Sequence, residues 1–80
     1  MKPYEASFSV GSSVRVADRP TLQRFLEEWQ QHDRLEPEQL AFAGKIARVE
    51  QVGFYHGGDP LYVLEGVPGV WHEDCLGAVG

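Results

Sequence analysis

The spacing of apolar residues changes twice along this 80-residue chain, and each change dictates a different kind of element. Phe8, Val10, Val14 and Val16 alternate with polar neighbours around Gly11. A period of two is a half-buried strand, so a first strand over Ser13–Val16 is expected after a glycine bend. At Asp18 the period lengthens: Leu22, Phe25, Leu26 and Trp29 fall at i, i+3, i+4 and i+7, one face of a helix. Pro20 suits its first turn, Asp18 can cap it, and Glu27, Glu28, Gln30 and Gln31 take the wet face. This predicts a helix over Pro20–His32. After a linker at 33–36, one more helical turn is expected at Pro37–Phe42, stopped by Gly44.

From Gly44 the pattern is that of strands cut short by turn residues. Lys45–Tyr55 is rich in β-branched and aromatic residues, and its alternation slips between Val49 and Val52, which predicts a bulge near Glu50-Gln51. His56-Gly57-Gly58-Asp59-Pro60 reads as a hairpin loop, Leu61–Glu65 as a strand, and Gly66-Val67-Pro68-Gly69 as a tight turn with Pro68-Gly69 at its centre. A short strand at Val70–His72, a 3-10 turn at Glu73–Cys75 and a last strand at Leu76–Val79 complete the order. The expected class is mostly β with one helix (α+β), in a single domain over residues 1–80, with residues 1–6 as an arm. Five short strands bury most apolar surface by curling into a small barrel, with the helix inserted at about 20–32.

Composition narrows function. Twelve acids against seven bases give a net charge of −5, the wrong sign for neutralising phosphates or for an anionic membrane surface. No nucleic acid and no membrane partner is expected, and a cationic ligand suits the charge better. Cys75 is the single cysteine, so no disulfide can staple the chain; with no apolar leader in Met1–Glu5, a cytoplasmic protein is expected.

Three fragments carry a resemblance: Phe8-x-Val10-Gly11-x-x-Val14-Arg15-Val16, Gly44-x-Ile46-x-x-Val49, and Tyr62 through Trp71. Their layout resembles SH3-like β-barrel modules. Gly66-Val67-Pro68-Gly69-Val70-Trp71 is similar to the last hairpin of the repeats in Mind-bomb and Keep-on-Going ubiquitin ligases. The barrel of the nitrile hydratase β subunit and the small plasmid-borne dihydrofolate reductase are broadly alike in layout. The resemblance covers about half the chain and implies fold rather than chemistry. The helix departs from the ligase repeats, which carry a loop there. Val70-Trp71-His72-Glu73 does not reproduce the reductase's functional motif, and no catalytic residue is carried over.

The polar cluster His72-Glu73-Asp74-Cys75 invites two chemical readings. His72 and Cys75 with His56 are too few and too scattered for a zinc site, so no metal and no cofactor is expected. A Cys–His nucleophile pair would need an oxyanion hole and an orienting group that a small barrel hardly supplies, so no catalytic residue is assigned. The third reading is an aromatic and acidic face. Tyr55, His56, Asp59, Trp71, His72, Glu73 and Asp74 are the expected ligand-binding residues, for a peptide or small cationic ligand held by cation–π contact and charge. Apolar residues Trp29, Phe42, Phe54 and Val79 exceed what one small barrel covers, so self-association as a homodimer or higher is also expected. The domain is thus read as a non-enzymatic binding or assembly module. The alternative is a small enzyme or ligand-binding barrel with its site at a homo-oligomer interface.

Overall fold

The computed structural model describes residues 6–56 and 58–79. The expected arm lies, except for Ala6, outside the described residues. Strand β1 (Ser13–Val16) is followed by helix α1 (Arg19–Glu28), a 3-10 turn (Pro37–Phe42), strands β2 (Ile46–Tyr55), β3 (Asp59–Leu64) and β4 (Val67–His72), a second 3-10 turn (Glu73–Cys75) and strand β5 (Leu76–Ala78). All strand pairs are antiparallel, and their order across the sheet is β4-β3-β2-β1-β5.

The sheet is held together by β2. Its first half pairs with β1, Ser13 opposite Arg48 and Arg15 opposite Ile46. Its second half pairs with β3, from Val49 opposite Leu64 to Tyr55 opposite Asp59, with a register slip between Val49 and Gln51. That slip is the bulge expected from the broken alternation, and it re-aims the strand between its two partners. The sheet nevertheless does not close into the expected barrel. β4 and β5 remain its two edges, and helical turns occupy the space between them. The first 3-10 turn packs on β4, and the second on α1, β3 and β5. Gln39, from the first turn, donates from Nε2 to the Val70 carbonyl at 3.1 Å and accepts the Glu36 N–H at 2.7 Å. A side chain therefore satisfies β4 where a closed barrel would have brought a strand.

The core is one cluster: Val14 and Val16 of β1, Leu22 of α1, Leu35, Leu40, Val49, Tyr62, Leu64, Val67, Trp71 and Cys75. β1 alternates outward and inward as its sequence period requires. Leu22 is the one fully buried residue of the helical stripe; Phe25 and Leu26 are half-buried against the core, and Trp29 is half-buried beside Phe25. Burying a leucine of this kind contributes about 1.5–3 kcal/mol.

Two local expectations are corrected. The helix stops at Glu28, four residues short of His32. Its start follows the sequence, with Asp18 Oδ1 accepting the Thr21 N–H at 3.0 Å. Its end is set by side chains: the Gln30 amide donates to the Glu27 carbonyl at 2.8 Å, and Trp29 turns into extended backbone. The tight turn is also displaced. It falls at Glu65-Gly66, with Leu64 opposite Val67, while Pro68 and Gly69 lie inside β4. Gly69 has φ of +98° and sits where β3 and β4 slip in register, so its left-handed backbone serves a bulge rather than a turn.

Gly69→Ala meets both a disfavoured φ and a collision, since a Cβ there would lie 2.7 Å from Gln39 Nε2 and 2.9 Å from its Cδ. Urea denaturation should show a loss of about 1–3 kcal/mol. An unchanged midpoint would contradict this account of β4.

Candidate functional site

Where α1, the start of β3 and the second 3-10 turn converge, the surface opens into a cleft of about 230 Å³ lined by Phe25, Trp29, Asp59, Pro60, His72, Glu73 and Asp74. The rings of Phe25 and Trp29 are stacked, with centroids 5.5 Å apart and planes 14° from parallel. His72, nearly buried at 5% exposure, lies 5.0 Å from each ring. Three carboxylates complete the lining. The site therefore combines aromatic faces, which carry negative electrostatic potential, with formal negative charge.

Each carboxylate is held differently. Glu73 Oε1 accepts from the Tyr62 hydroxyl at 2.6 Å and from the Ser7 N–H at 3.0 Å. Burial alone would raise the Glu73 pKa, but these donors favour the charged form and bring it below the ordinary glutamate value. The same burial, reinforced by the Tyr62–Glu73 contact, pushes the Tyr62 hydroxyl up to about 12. Asp74 is exposed and stands beside the Cys75 thiol, which burial and then the Asp74 charge push up to about 12. Such a thiol is an inert core group, not a nucleophile.

Asp59 is shared with a second cluster. Its Oδ2 lies 2.8 Å from His32 Nε2, while His32 Nδ1 lies 3.1 Å from Asp33 Oδ2. A carboxylate only accepts, so making both bonds at once requires N–H on both ring nitrogens, the imidazolium form of His32. Partial burial would by itself lower its pKa. The hydrogen bonds and charges of Asp59 and Asp33 more than offset that and raise it above 6.5. Tyr55 stacks flat on the His32 ring at 3.7 Å, and His56 stacks on Tyr55 at 4.2 Å. The segment carrying His32 is pinned twice more: Trp29 Nε1 donates to the His32 carbonyl at 2.6 Å, and His72 Nε2 donates to the Asp33 carbonyl at 2.8 Å.

Of the seven expected ligand residues, Asp59, His72, Glu73 and Asp74 line one cleft. Tyr55 and His56 belong to the adjoining ring stack on His32. Trp71 is corrected: it is 0% exposed and lies in the core beside Tyr62 on paired strands. It cannot offer its face to a ligand. Sequence reasoning missed Phe25, Trp29, His32 and Pro60. The first two carried a signal, because a helix stripe of Leu22, Phe25, Leu26 and Trp29 is more than one small core buries. His32 carried none, since its partners include Asp59, 27 residues away. Among the described residues no three His, Cys, Asp or Glu side chains are grouped to hold a metal ion, and no helix is long and apolar enough to cross a membrane.

The fold and cleft thus define a small, mostly antiparallel β domain with an acidic, aromatic-walled surface site. Compared with known proteins, the chain matches no family model, no curated protein and no solved structure.

Truncating Trp71 to alanine should cost about 3–5 kcal/mol and leave this small domain largely unfolded by circular dichroism. Trp71→Phe should be milder, because it keeps most of the ring and removes an indole N–H that is buried without a partner. A well-folded Trp71→Ala would show that the core is not organised around this ring. The His32 clamp makes a separate prediction about pH. Because the folded pKa is raised, its contribution is complete below about pH 6.5 and fades as pH rises through the raised value. Thermal midpoints should therefore fall across that window, and the fall should shrink in His32→Gln. A pH-independent midpoint would contradict the clamp.

Proposed function

We propose that this domain is a non-enzymatic binding module that takes the cationic side chain of a basic peptide segment into the cleft between α1, β3 and the second 3-10 turn. The observation that carries this reading is the lining itself. Two stacked aromatic rings and three carboxylates face one space, a combination suited to an ammonium or guanidinium group. Cation–π attraction contributes about 0.5–2 kcal/mol per well-placed ring, more as the contact is desolvated. Charge-assisted hydrogen bonds to a carboxylate add direction and strength. The net charge of −5 draws the same class of ligand from a distance.

The SH3-like reading of the fold belongs to the same proposal. What supports it is the element order: five short antiparallel strands, β1 between β2 and β5, and a 3-10 turn leading into β5. The open sheet edges stand outside that reading, and the helix α1, which supplies Phe25 and leads directly into Trp29, is the feature that gives this chain its own site. A cytoplasmic location fits a reader of basic segments equally well and rests on the sequence expectation alone.

The test is a titration of the 15N-labelled domain with blocked Gly-Arg-Gly and Gly-Lys-Gly peptides, beside an uncharged Gly-Gln-Gly control. The basic peptides should shift the amide signals of Phe25, Trp29, Asp59 and Asp74, weaken as salt is raised, and lose at least about three-fold in affinity in Asp74→Asn. Asp74 is the variant of choice because no hydrogen bond or ion pair among the described residues depends on it. Equal shifts with the glutamine control, or shifts centred away from the cleft, would overturn the reading.

A further inference from the structure

Asp59 stands in two places at once. It lines the cleft beside Phe25, Trp29 and Pro60, and its Oδ2 receives the His32 Nε2–H at 2.8 Å. Its side chain is 58% exposed, so it is reachable from solvent while engaged. His32, only 9% exposed, is nearly enclosed. A cation entering the cleft therefore meets a carboxylate whose charge is already countered from behind by an imidazolium.

We infer that the His32 proton and a cationic ligand compete for Asp59, so that the cleft takes up cations more tightly as that proton leaves. The inference rests on the cleft being a cation site and adds its regulation. When His32 is neutral, one ring nitrogen no longer donates. Two carboxylates then face a ring with a single N–H, and repulsion between them and the bare nitrogen's lone pair loosens one contact. Asp33 is the immediate neighbour of His32 in the chain and sits on the segment that Trp29 and His72 pin by hydrogen bonds. Asp59, on the exposed start of β3, is the freer of the two to turn toward a ligand.

The groups facing His32 come from every element around it. Asp33 and Asp59 bond to it, Tyr55 covers one face with His56 stacked behind, Trp29 meets it edge-on at 5.2 Å, and the His72 ring lies 5.3 Å away. Phenols and carboxylates do not ordinarily titrate near neutrality. The imidazoles of His56 and His72 are the groups whose titration has to be separated from that of His32, and ring-proton NMR resolves each histidine individually.

Reciprocity of linkage supplies two readouts in one experiment. The affinity for blocked Gly-Arg-Gly is measured between about pH 6 and about pH 8.5, and the midpoint of the His32 ring signals is followed with and without saturating peptide. Affinity should rise about five-fold across the window, the size of one partly screened charge interaction. The peptide should lower the His32 midpoint correspondingly while moving those of His56 and His72 less. Asp33→Asn, which removes a carboxylate from His32 without touching the lining of the cleft, should shift the rise in affinity to lower pH. Peptide binding that is equally tight at every pH, with an unmoved His32 midpoint, would overturn the competition and leave the cation site standing. No saturable binding at any pH would overturn both.

Discussion

Strand β2 serves two partners, and the slip between Val49 and Gln51 is what allows it to. β1 and β3 flank β2 on opposite sides, one beside each half of its ten residues. The extra residue lets the first half turn toward β1 and the second toward β3. Val49 anchors the change of direction. It is fully buried, its N–H donates to the Ser12 carbonyl at 2.9 Å, and its carbonyl accepts the Gly11 N–H at 2.8 Å. With the sheet bent there, Val14, Val16, Tyr62, Leu64 and Trp71 gather into one core, which a domain of this size needs if it is to bury enough surface. The helix and the two 3-10 turns then cover what the bend leaves open.

The early end of α1 is the second consequential choice. Had the helix run to His32, residues 29–32 would have continued around its cylinder. Instead Trp29 leaves the helix with its indole N–H spent on the His32 carbonyl, and His72 holds the Asp33 carbonyl from the far end of β4. These bonds fix a short bent segment against the β2–β3 hairpin, where His32 meets Tyr55 and Asp59. Phe25 and Trp29 stay half-buried, stacked on each other and against His72, so this end of the helical stripe lines a cleft. Surplus apolar surface on the stripe thus becomes the wall of the proposed site.

Much of the fold was legible in the sequence because it is written in local patterns. The first strand matches residue for residue, the bulge in β2 follows from a break in alternation between Val49 and Val52, and the two 3-10 turns follow from proline and short polar runs. What failed was ambiguous locally. Pro68-Gly69 satisfies the chemistry of a turn and of a bulge alike, and Glu65-Gly66 competes for the same reversal. Trp71 and His72 are successive residues of one strand, which alternation alone would send to opposite faces, yet both are buried, because the end of β4 is covered by the helix as well as by the sheet. Barrel closure failed for a similar reason: counting strands says nothing of a glutamine that occupies a strand's carbonyl. The site was half legible. Asp59, His72, Glu73 and Asp74 sit near one another in sequence or across a hairpin, whereas Phe25, Trp29 and His32 join them only through the packing of α1, a long-range contact with no local signature.

In the proposed reading, the His32 clamp lets stability and a cation site draw on one group. A carboxylate fully committed to the fold makes a poor ligand for anything else, and one left free contributes nothing to holding the hairpin in place. Asp59 is committed through one oxygen to a partner that is charged only while it keeps a proton. The fixed elements of the cleft, Glu73 tied to Tyr62 and Ser7 and the ring stack of Phe25 and Trp29, do not change with pH near neutrality. In the proposed reading the Asp59 wall does. Adjustable charge is thereby confined to one side of a rigid, preorganised space. That arrangement can alter affinity without remodelling the fold, because the segment bearing His32 remains fastened by Trp29 and His72 whether or not the imidazole is charged.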